Sequence, residues 1–273
     1  MEFISFVGAG PGAPDLITLR GQARLREADI IIWASSLIPE EMLAWASSEA
    51  ICMDSAEMTL EDVLLVFEQH PDARIVRLHS GDPSIYGAIQ EQISWCEHHE
   101  RPFEIVPGVT SISAAAAAVG RELTIPEISQ SVVTTRVARR TSASMPASES
   151  LAGYAQLGGT IAVLLSGAHP ERVAEELLAK GSKFSPATPV AVIVRATWPD
   201  EQVAMTTIGD LVATVTELGA KRTLLLLVGD VLTTTNIRRS HLYSPAFSHR
   251  FRSRSNPGTT AGRAKRRANR SVR

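Results

Sequence analysis

The segment GAGPGAPDLIT, residues 8–18, has glycines at a spacing that could hold a phosphate group. In dinucleotide-binding turns, such glycines bring backbone N–H groups to the pyrophosphate at the start of a helix. Pro11 and Pro14 remove N–H donors from this turn, and the acidic residue expected after the second strand is missing. A loop that binds the phosphates of a nucleoside triphosphate is excluded too, because no Gly-Lys-Ser/Thr follows the glycines. The segment therefore predicts a rigid loop that lies close against a bulky ligand.

Two further turns with chemically useful residues follow predicted strands. The first is HSGDPSIYGA, residues 79–88, and the second is VPGVTSISA, residues 106–114. Each has an ordinary structural interpretation, since the first contains an Asp-Pro turn and the second contains a helix N-cap. Ligands of open α/β sheets bind at the carboxyl ends of the strands. Three such turns in one half of the chain favour a common binding site.

Short β-branched runs alternate with helical segments along the chain, which predicts an α/β fold. The predicted strands are residues 3–7, 29–33, 74–78, 103–106, 160–165, 189–194 and 223–228. A strand is also expected before Arg136. A small-residue helix over residues 110–120 is followed by a polar, proline-containing passage. We therefore expect two domains, residues 1–120 and 121–243.

Two further helices have clear boundary signals. The segment TLEDVLLVF has apolar residues on one face and begins with Thr59 and Asp62 at capping-box spacing. The segment PERVAEELLAKG has Pro170 in its first turn and Gly181 after its last basic residue. Both segments predict amphipathic helices that pack on a sheet.

Charge divides the chain into an acidic body and a basic end. Residues 231–273 carry eleven Lys and Arg and no Asp or Glu. The first 230 residues hold the other 16 of the 27 basic residues and all 29 acidic ones. Residues 244–273 have no apolar periodicity, which predicts a disordered, solvated tail. Attraction of this tail to nucleic acid is the less favoured alternative, because no aromatic platform accompanies the basic residues.

Composition and spacing argue against several classes of protein. No apolar run approaches the roughly 18 residues of a membrane helix, and the first ten residues lack the features of a signal peptide, so we expect a cytoplasmic protein. Cys52 and Cys96 have no paired spacing, and we expect both to be buried in the apolar core. The seven histidines show no ligand spacing, so no metal site is expected. His79 lies beside the SGDP turn, where a structural role is favoured.

The segments GAGPGAPDLIT, SGDPSIYGA, VPGVTS and IPEISQSVVTTR together resemble the tetrapyrrole methylase family, over residues 2–243. The resemblance implies two α/β domains with S-adenosylmethionine folded in the cleft between them, and a homodimer. The resemblance also implies methylation of a tetrapyrrole on carbon. It is strongest for the family members that methylate precorrin-4, or its cobalt form, at carbon 11. The opening loop would then face the macrocycle.

Site residues follow from this resemblance position by position. The cofactor-contacting residues would be Pro11, Gly81, Asp82, Ile85, Thr110, Ser111, Leu165 or Ser166, Ala196, Thr223 and Leu224. The substrate-contacting residues would be Gly10, Gly12, Asp15, Tyr86, Arg136 and Arg140. The two arginines are chosen because the carboxylates of a corrin precursor require cationic partners, although a solvated basic turn is an equal alternative. Asp82 would orient the ligand or the turn and would not act as a base.

The family's pattern is not matched everywhere. Uroporphyrinogen methyltransferases have GGDPFIFG where this chain has SGDPSIYG, and they have Thr-Ala where it has Thr110 and Ser111. These differences favour a corrin methylase that acts on precorrin-4, and the alternatives are another corrin-ring methylase and a uroporphyrinogen III methylase. No catalytic base is identified, because methyl transfer from a sulfonium depends on orientation and dehydration rather than on a strong base. A nicotinamide-dependent oxidoreductase and a nucleic-acid-binding protein are the alternatives from other classes.

Overall fold

Five parallel strands form the first sheet of the computed structural model, which describes residues 2–137, 145–146, 148–219, 223–235, 237–238, 240, 244 and 247. The strands are β1 (Ile4–Gly8), β2 (Ile30–Trp33), β3 (Ile51–Asp54), β4 (Ile75–His79) and β5 (Phe103–Val106), in the order β3-β2-β4-β1-β5. Three helices alternate with them, namely α1 (Leu19–Glu27), α2 (Leu60–Gln69) and α3 (Gln90–His98). Strands β1 and β2 are buried throughout, as expected for central strands of a parallel sheet covered on both faces.

The second sheet is mixed and lies in the second half of the chain. Its strands are β6 (Val132–Arg136), β7 (Thr160–Leu164), β8 (Pro189–Val194), β9 (Gln202–Thr207) and β10 (Leu224–Val228), in the order β6-β7-β10-β8-β9. Only β6 and β7 run parallel, whereas the other neighbouring pairs are antiparallel. The accompanying helices are α4 (Ser111–Ala118), α5 (Leu151–Ala155), α6 (Pro170–Leu177) and α7 (Leu211–Leu218). The fold is therefore α/β with two sheets, as predicted.

Helix α4 belongs to the second sheet by its packing. Its buried Ala114 and Ala115 share an apolar cluster with Ala162 of β7 and with Leu225 and Leu227 of β10. Small side chains let the helix backbone approach the sheet closely, which explains the alanine-rich sequence. The division at residue 120 stays a prediction, and it would place this helix in the first domain.

Most predicted elements are present, with three differences. Strands β3 and β9 were not predicted, and both are edge strands with largely exposed residues. Helix α6 ends at Leu177, before the predicted end, where the Ser182 hydroxyl donates to the Leu177 carbonyl at 2.6 Å. The expectation that Cys52 is buried is wrong, since it lies exposed on edge strand β3, whereas Cys96 is buried.

Some predictions fall outside the described residues. These are Arg140 and, apart from Ser244 and Phe247, the basic tail 244–273. In the part of the chain that the structure describes, no helix has the length and apolar character needed to span a membrane. The described residues also contain no group of three or more His, Cys, Asp or Glu side chains arranged to hold a metal ion.

Candidate functional site

A cleft of about 560 Å³ lies between the carboxyl edge of the first sheet and the second sheet. The first half of the chain contributes the loop after β1, the loop after β2, the end of β4 with its turn, and the first residues of α4. The second half contributes residues that follow β7 and β8 and residues at the start of β10. The volume of the cleft is within the range of small-molecule and cofactor sites.

Three glycines bring the strand-end turns together on one side of this cleft. A Cβ atom on Gly108 would overlap the Gly81 carbonyl oxygen and would lie 2.8 Å from the Gly8 Cα. The Asp82 carboxylate accepts hydrogen bonds from the backbone N–H of Gly108 at 2.9 Å and of Ser84 at 2.8 Å. Asp82 therefore orients the turn itself, and only glycine permits this backbone packing.

The opening loop is attached to the second half of the chain. The Trp198 indole N–H donates to the Pro11 carbonyl at 3.2 Å, and the Ala13 N–H donates to the Thr197 hydroxyl at 2.9 Å. A Cβ atom on Gly12 would lie 2.5 Å from the Trp198 Nε1, so the indole covers this glycine. The guanidinium of Arg195 lies over the indole at 4.0 Å from the ring centroid. These contacts join the two halves of the chain beside the cleft.

Backbone strain is concentrated around the cleft. Tyr86, Leu165 and Thr223 line it with φ angles of 56°, 54° and 53°, in the left-handed region that non-glycine residues rarely adopt. Arg195 and Thr197, on either side of the lining residue Ala196, have φ angles of 50° and 67°. Each such residue costs about 1–3 kcal/mol and persists only where the surroundings hold it, which is typical of binding and active sites.

The family model described as Tetrapyrrole (Corrin/Porphyrin) Methylases matches residues 4–212. The chain belongs to the tetrapyrrole methylases. It is similar to the precorrin-4 C(11)-methyltransferase of Pseudomonas aeruginosa, with 42% identity over 91% of this chain and 98% of that protein. The cobalt-precorrin-4 C(11)-methyltransferase of Methanocaldococcus jannaschii is 41% identical over 91% of this chain and 95% of its own length. The uroporphyrinogen-III C-methyltransferase of the same organism is 30% identical over 84% of this chain and 96% of its own length.

Solved structures of tetrapyrrole methylases have the same fold. A cobalt precorrin-4 methyltransferase matches 85% of this chain and 96% of its own, with a TM-score of 0.81 and 38% identity. The uroporphyrin-III C-methyltransferase of Thermus thermophilus, complexed with S-adenosylhomocysteine, matches 85% of this chain and 99% of its own, with a TM-score of 0.71 and 26% identity. The fold and family implied by the sequence resemblance are therefore confirmed.

In this methylase, most residues proposed for the cofactor line the cleft. They are Pro11, Gly81, Asp82, Ile85, Thr110, Ser111, Leu165, Ala196, Thr223 and Leu224. Ser166 is the exception, because its buried hydroxyl donates to the Leu164 carbonyl and accepts from the Val137 N–H. Of the two alternatives at this position, Leu165 is therefore the one that borders the cleft.

Residues proposed for the substrate are more dispersed. Tyr86 lines the cleft, and burial raises the pKa of its hydroxyl, an effect that the nearby charge of Arg136 opposes. The structure thus brings Tyr86 near Arg136, at the end of β6. Gly10 and Gly12 are buried by protein contacts and do not line the cleft, and Asp15 is exposed in a short 3₁₀ helix. Their contact with substrate stays a prediction.

Sequence reasoning missed several lining residues. The loop Ala34–Ile38 contributes four of them, and it directly follows β2, where the strand-end rule could have found it. Arg77 lines the cleft from within β4, together with His79. Burial lowers the pKa of His79 to about 3, and the nearby Arg77 charge acts in the same direction, so its imidazole is neutral at physiological pH.

Proposed function

We propose that this chain transfers the methyl group of S-adenosylmethionine to carbon 11 of precorrin-4, or of its cobalt form. The products would be precorrin-5 and S-adenosylhomocysteine. The supporting observation is identity of 41–42% with precorrin-4 and cobalt-precorrin-4 methyltransferases over nine-tenths of the chain, against 30% with a uroporphyrinogen-III methyltransferase. Since these sequences align over nearly their whole lengths, both halves of the chain that line the cleft are compared.

The described residues fit S-adenosylmethionine, which has an apolar face and several polar groups. The cleft presents Leu165, which is 70% exposed, and Ile85, which is 41% exposed, and a ligand would cover both side chains. The start of α4 at Thr110 and Ser111 offers backbone groups for polar contacts. The ten cleft-lining residues named above would hold the cofactor.

When bound, S-adenosylmethionine supplies an electrophilic methyl group on its sulfonium sulfur. We propose that the chain contributes orientation and exclusion of water, without a strong general base. The glycine-packed turns and the loop held by Trp198 are suited to this role because their backbone is fixed on both sides of the cleft. Asp82 already accepts two backbone hydrogen bonds, so its role is positional.

The tetrapyrrole would bind at the mouth of the cleft. Arg136 is the favoured partner for a substrate carboxylate, because its charge acts on Tyr86, which lines the cleft. Arg140 is proposed as a second partner for substrate carboxylates on the same argument of charge. Gly10, Gly12 and Asp15 are proposed as further substrate contacts from the sequence resemblance alone. We also propose a homodimer that works in the cytoplasm, which light scattering and fractionation would check.

Calorimetric titration with S-adenosylhomocysteine, and separately with NAD, is the first test. Binding of S-adenosylhomocysteine without an NAD response would establish the cofactor class, whereas binding of NAD alone would favour an oxidoreductase. Conversion of precorrin-4, followed as a gain of one methyl group by mass spectrometry, would then identify the substrate. Methylation of uroporphyrinogen III instead would overturn the substrate assignment. The alternative of a nucleic-acid-binding protein would depend on the tail. In that case, deletion of residues 245–273 would abolish nucleic-acid binding.

A matched pair of exposed leucines tests the position of the cofactor. Leu165→Asp should weaken S-adenosylhomocysteine binding at least about tenfold, because burial of a leucine side chain contributes about 1.5–3 kcal/mol. Leu157, which is 76% exposed and outside the cleft lining, provides the control, and Leu157→Asp should leave the affinity unchanged. Equal affinities for both variants would place the cofactor elsewhere.

A further inference from the structure

Two polar side chains, the half-buried Arg77 and the buried His79, lie next to each other in the wall of the cleft. Arg77 and His79 are two residues apart on β4, so they project from the same face of the first sheet. Arg77 lies between Phe6 of β1 and Ile32 of β2 in the strand register. His79 is only 8% exposed. Both residues nevertheless line the cleft, at the end of a central strand.

Both side chains have hydrogen-bonding atoms without a partner. One terminal nitrogen of Arg77, Nη1, donates to the Ile32 carbonyl at 3.2 Å. The Nε of Arg77 and the Nε2 of His79 are buried and have no hydrogen-bond partner among the described residues. Buried polar groups are normally hydrogen-bonded, so two such atoms in one cleft indicate a missing polar partner.

The missing partner should carry negative charge. No carboxylate in the described part of the chain forms an ion pair with Arg77, and burial alone lowers its pKa to about 10. The guanidinium stays charged at neutral pH, and a buried charge without a counterion is costly. A carboxylate would compensate it through paired hydrogen bonds, while a neutral imidazole can donate one more N–H.

We propose that Arg77 and His79 form a carboxylate-binding subsite in the wall of the cleft. The inference rests on the proposed function, because both candidate carboxylates belong to its reactants. One is the α-carboxylate of the methyl donor, and the other is an acetate or propionate group of the tetrapyrrole. Arg77 supplies the charge, and His79 supplies a neutral hydrogen-bonding group beside it.

The test compares Arg77→Met and His79→Phe with a matched buried arginine. Arg101 is 3% exposed, donates to the His70 and Ala73 carbonyls, and lies outside the cleft lining. Arg101→Met therefore controls for the loss of a buried guanidinium. Calorimetry measures the affinity of each variant for S-adenosylhomocysteine and for its decarboxylated analogue. Absorbance titration with cobyrinic acid, a stable corrin polycarboxylate, and the KM for precorrin-4 report on the tetrapyrrole.

If the donor carboxylate occupies the subsite, Arg77→Met lowers the affinity for S-adenosylhomocysteine at least about tenfold. The affinity for the decarboxylated analogue stays unchanged. If a tetrapyrrole carboxylate occupies the subsite, Arg77→Met leaves the affinities for both adenosyl ligands unchanged and raises the KM for precorrin-4. The KM of Arg77→Lys should then lie between those of the wild type and Arg77→Met. In either case His79→Phe shows a smaller effect on the same ligand. Folded Arg77→Met protein with wild-type behaviour in all these measurements overturns the subsite. If the wild type itself binds no S-adenosylhomocysteine, the proposed function fails first.

Discussion

Gly8, Gly81 and Gly108 meet where the three strand-end turns come together. A Cβ atom on Gly8 or Gly108 would lie within 2.8 Å of the backbone of another turn, so neither position has room for a side chain, and Gly81 has a φ of 67°, in the left-handed region that favours glycine. The Gly10 N–H donates to the Gly81 carbonyl at 3.2 Å, and the Gly81 N–H donates to the Gly10 carbonyl at 2.7 Å. These residues act through close backbone contact, which sets the shape of one wall of the cleft.

Replacement of Gly108 should therefore affect both stability and binding. In Gly108→Ala, the added Cβ overlaps the Gly81 carbonyl oxygen, and we expect a loss of about 3 kcal/mol, the upper part of the range for overpacking. Gly120→Ala is the control, because its Cβ meets no atom within 4 Å and only its φ of 62° costs about 1 kcal/mol. Urea denaturation measures the stability of both, and calorimetry should show weaker S-adenosylhomocysteine binding in Gly108→Ala alone. Equal losses of stability would contradict the backbone contact.

Helix α4 is a single element that extends from the cleft to the second sheet. Its N-cap Thr110 accepts a hydrogen bond from the Ile112 N–H, and Thr110 and Ser111 line the cleft. One turn later, Ala114 and Ala115 pack on β7 and β10. The position of the cleft-lining end of this helix therefore depends on how its alanine face fits the sheet.

A larger side chain on the alanine face should disturb this fit. Ala115 is fully buried, so Ala115→Leu overpacks the interface and should cost about 1–3 kcal/mol. Ala117, on the exposed side of the same helix, is the matched control, and Ala117→Leu should change stability by less than about 0.5 kcal/mol. Thermal denaturation of the two variants distinguishes these outcomes. A stable Ala115→Leu variant would mean that the helix does not pack closely on the second sheet.

At the scale of the whole molecule, the cleft depends on contacts between distant parts of the chain. Trp198 and Pro11 are separated by 187 positions, and Thr197 and Ala13 by 184. Through these contacts the loop between β8 and β9 holds the opening loop beside the cleft. We expect their loss to loosen the cleft without unfolding either sheet.

Trp198→Phe tests this connection, since it keeps an aromatic ring and removes the indole N–H. A neutral hydrogen bond contributes about 0.5–1.5 kcal/mol, so we expect the affinity for S-adenosylhomocysteine to fall about twofold to tenfold. Trp95→Phe is the control, because Trp95 packs against Phe67 and His99 and does not line the cleft. It should lower the melting temperature and leave the affinity unchanged. Wild-type affinity in Trp198→Phe would show that the indole hydrogen bond does not support the cofactor site.

The central strands, the starts of α2, α4 and α6, and the location of the strand-end turns could be predicted from the sequence. Strands β5 and β8 have their predicted bounds, and the capping box of Thr59 and Asp62 is present at the start of α2. These features depend on neighbouring residues, because apolar runs, caps and Gly-Pro turns act over a few positions. Edge strands β3 and β9 lack such a signal, since their formation depends on pairing with a strand already in place.

Which residues meet in the cleft depends on packing between distant parts of the chain. The sequence placed Gly12 in a loop but did not show that the Trp198 indole lies against it. It placed Arg77 in a strand but did not show that this residue lines a cleft. It also did not show that α4 packs on the second sheet. The physical reason is common to all three, because each depends on the packing of two sheets whose contacts join residues far apart in the chain.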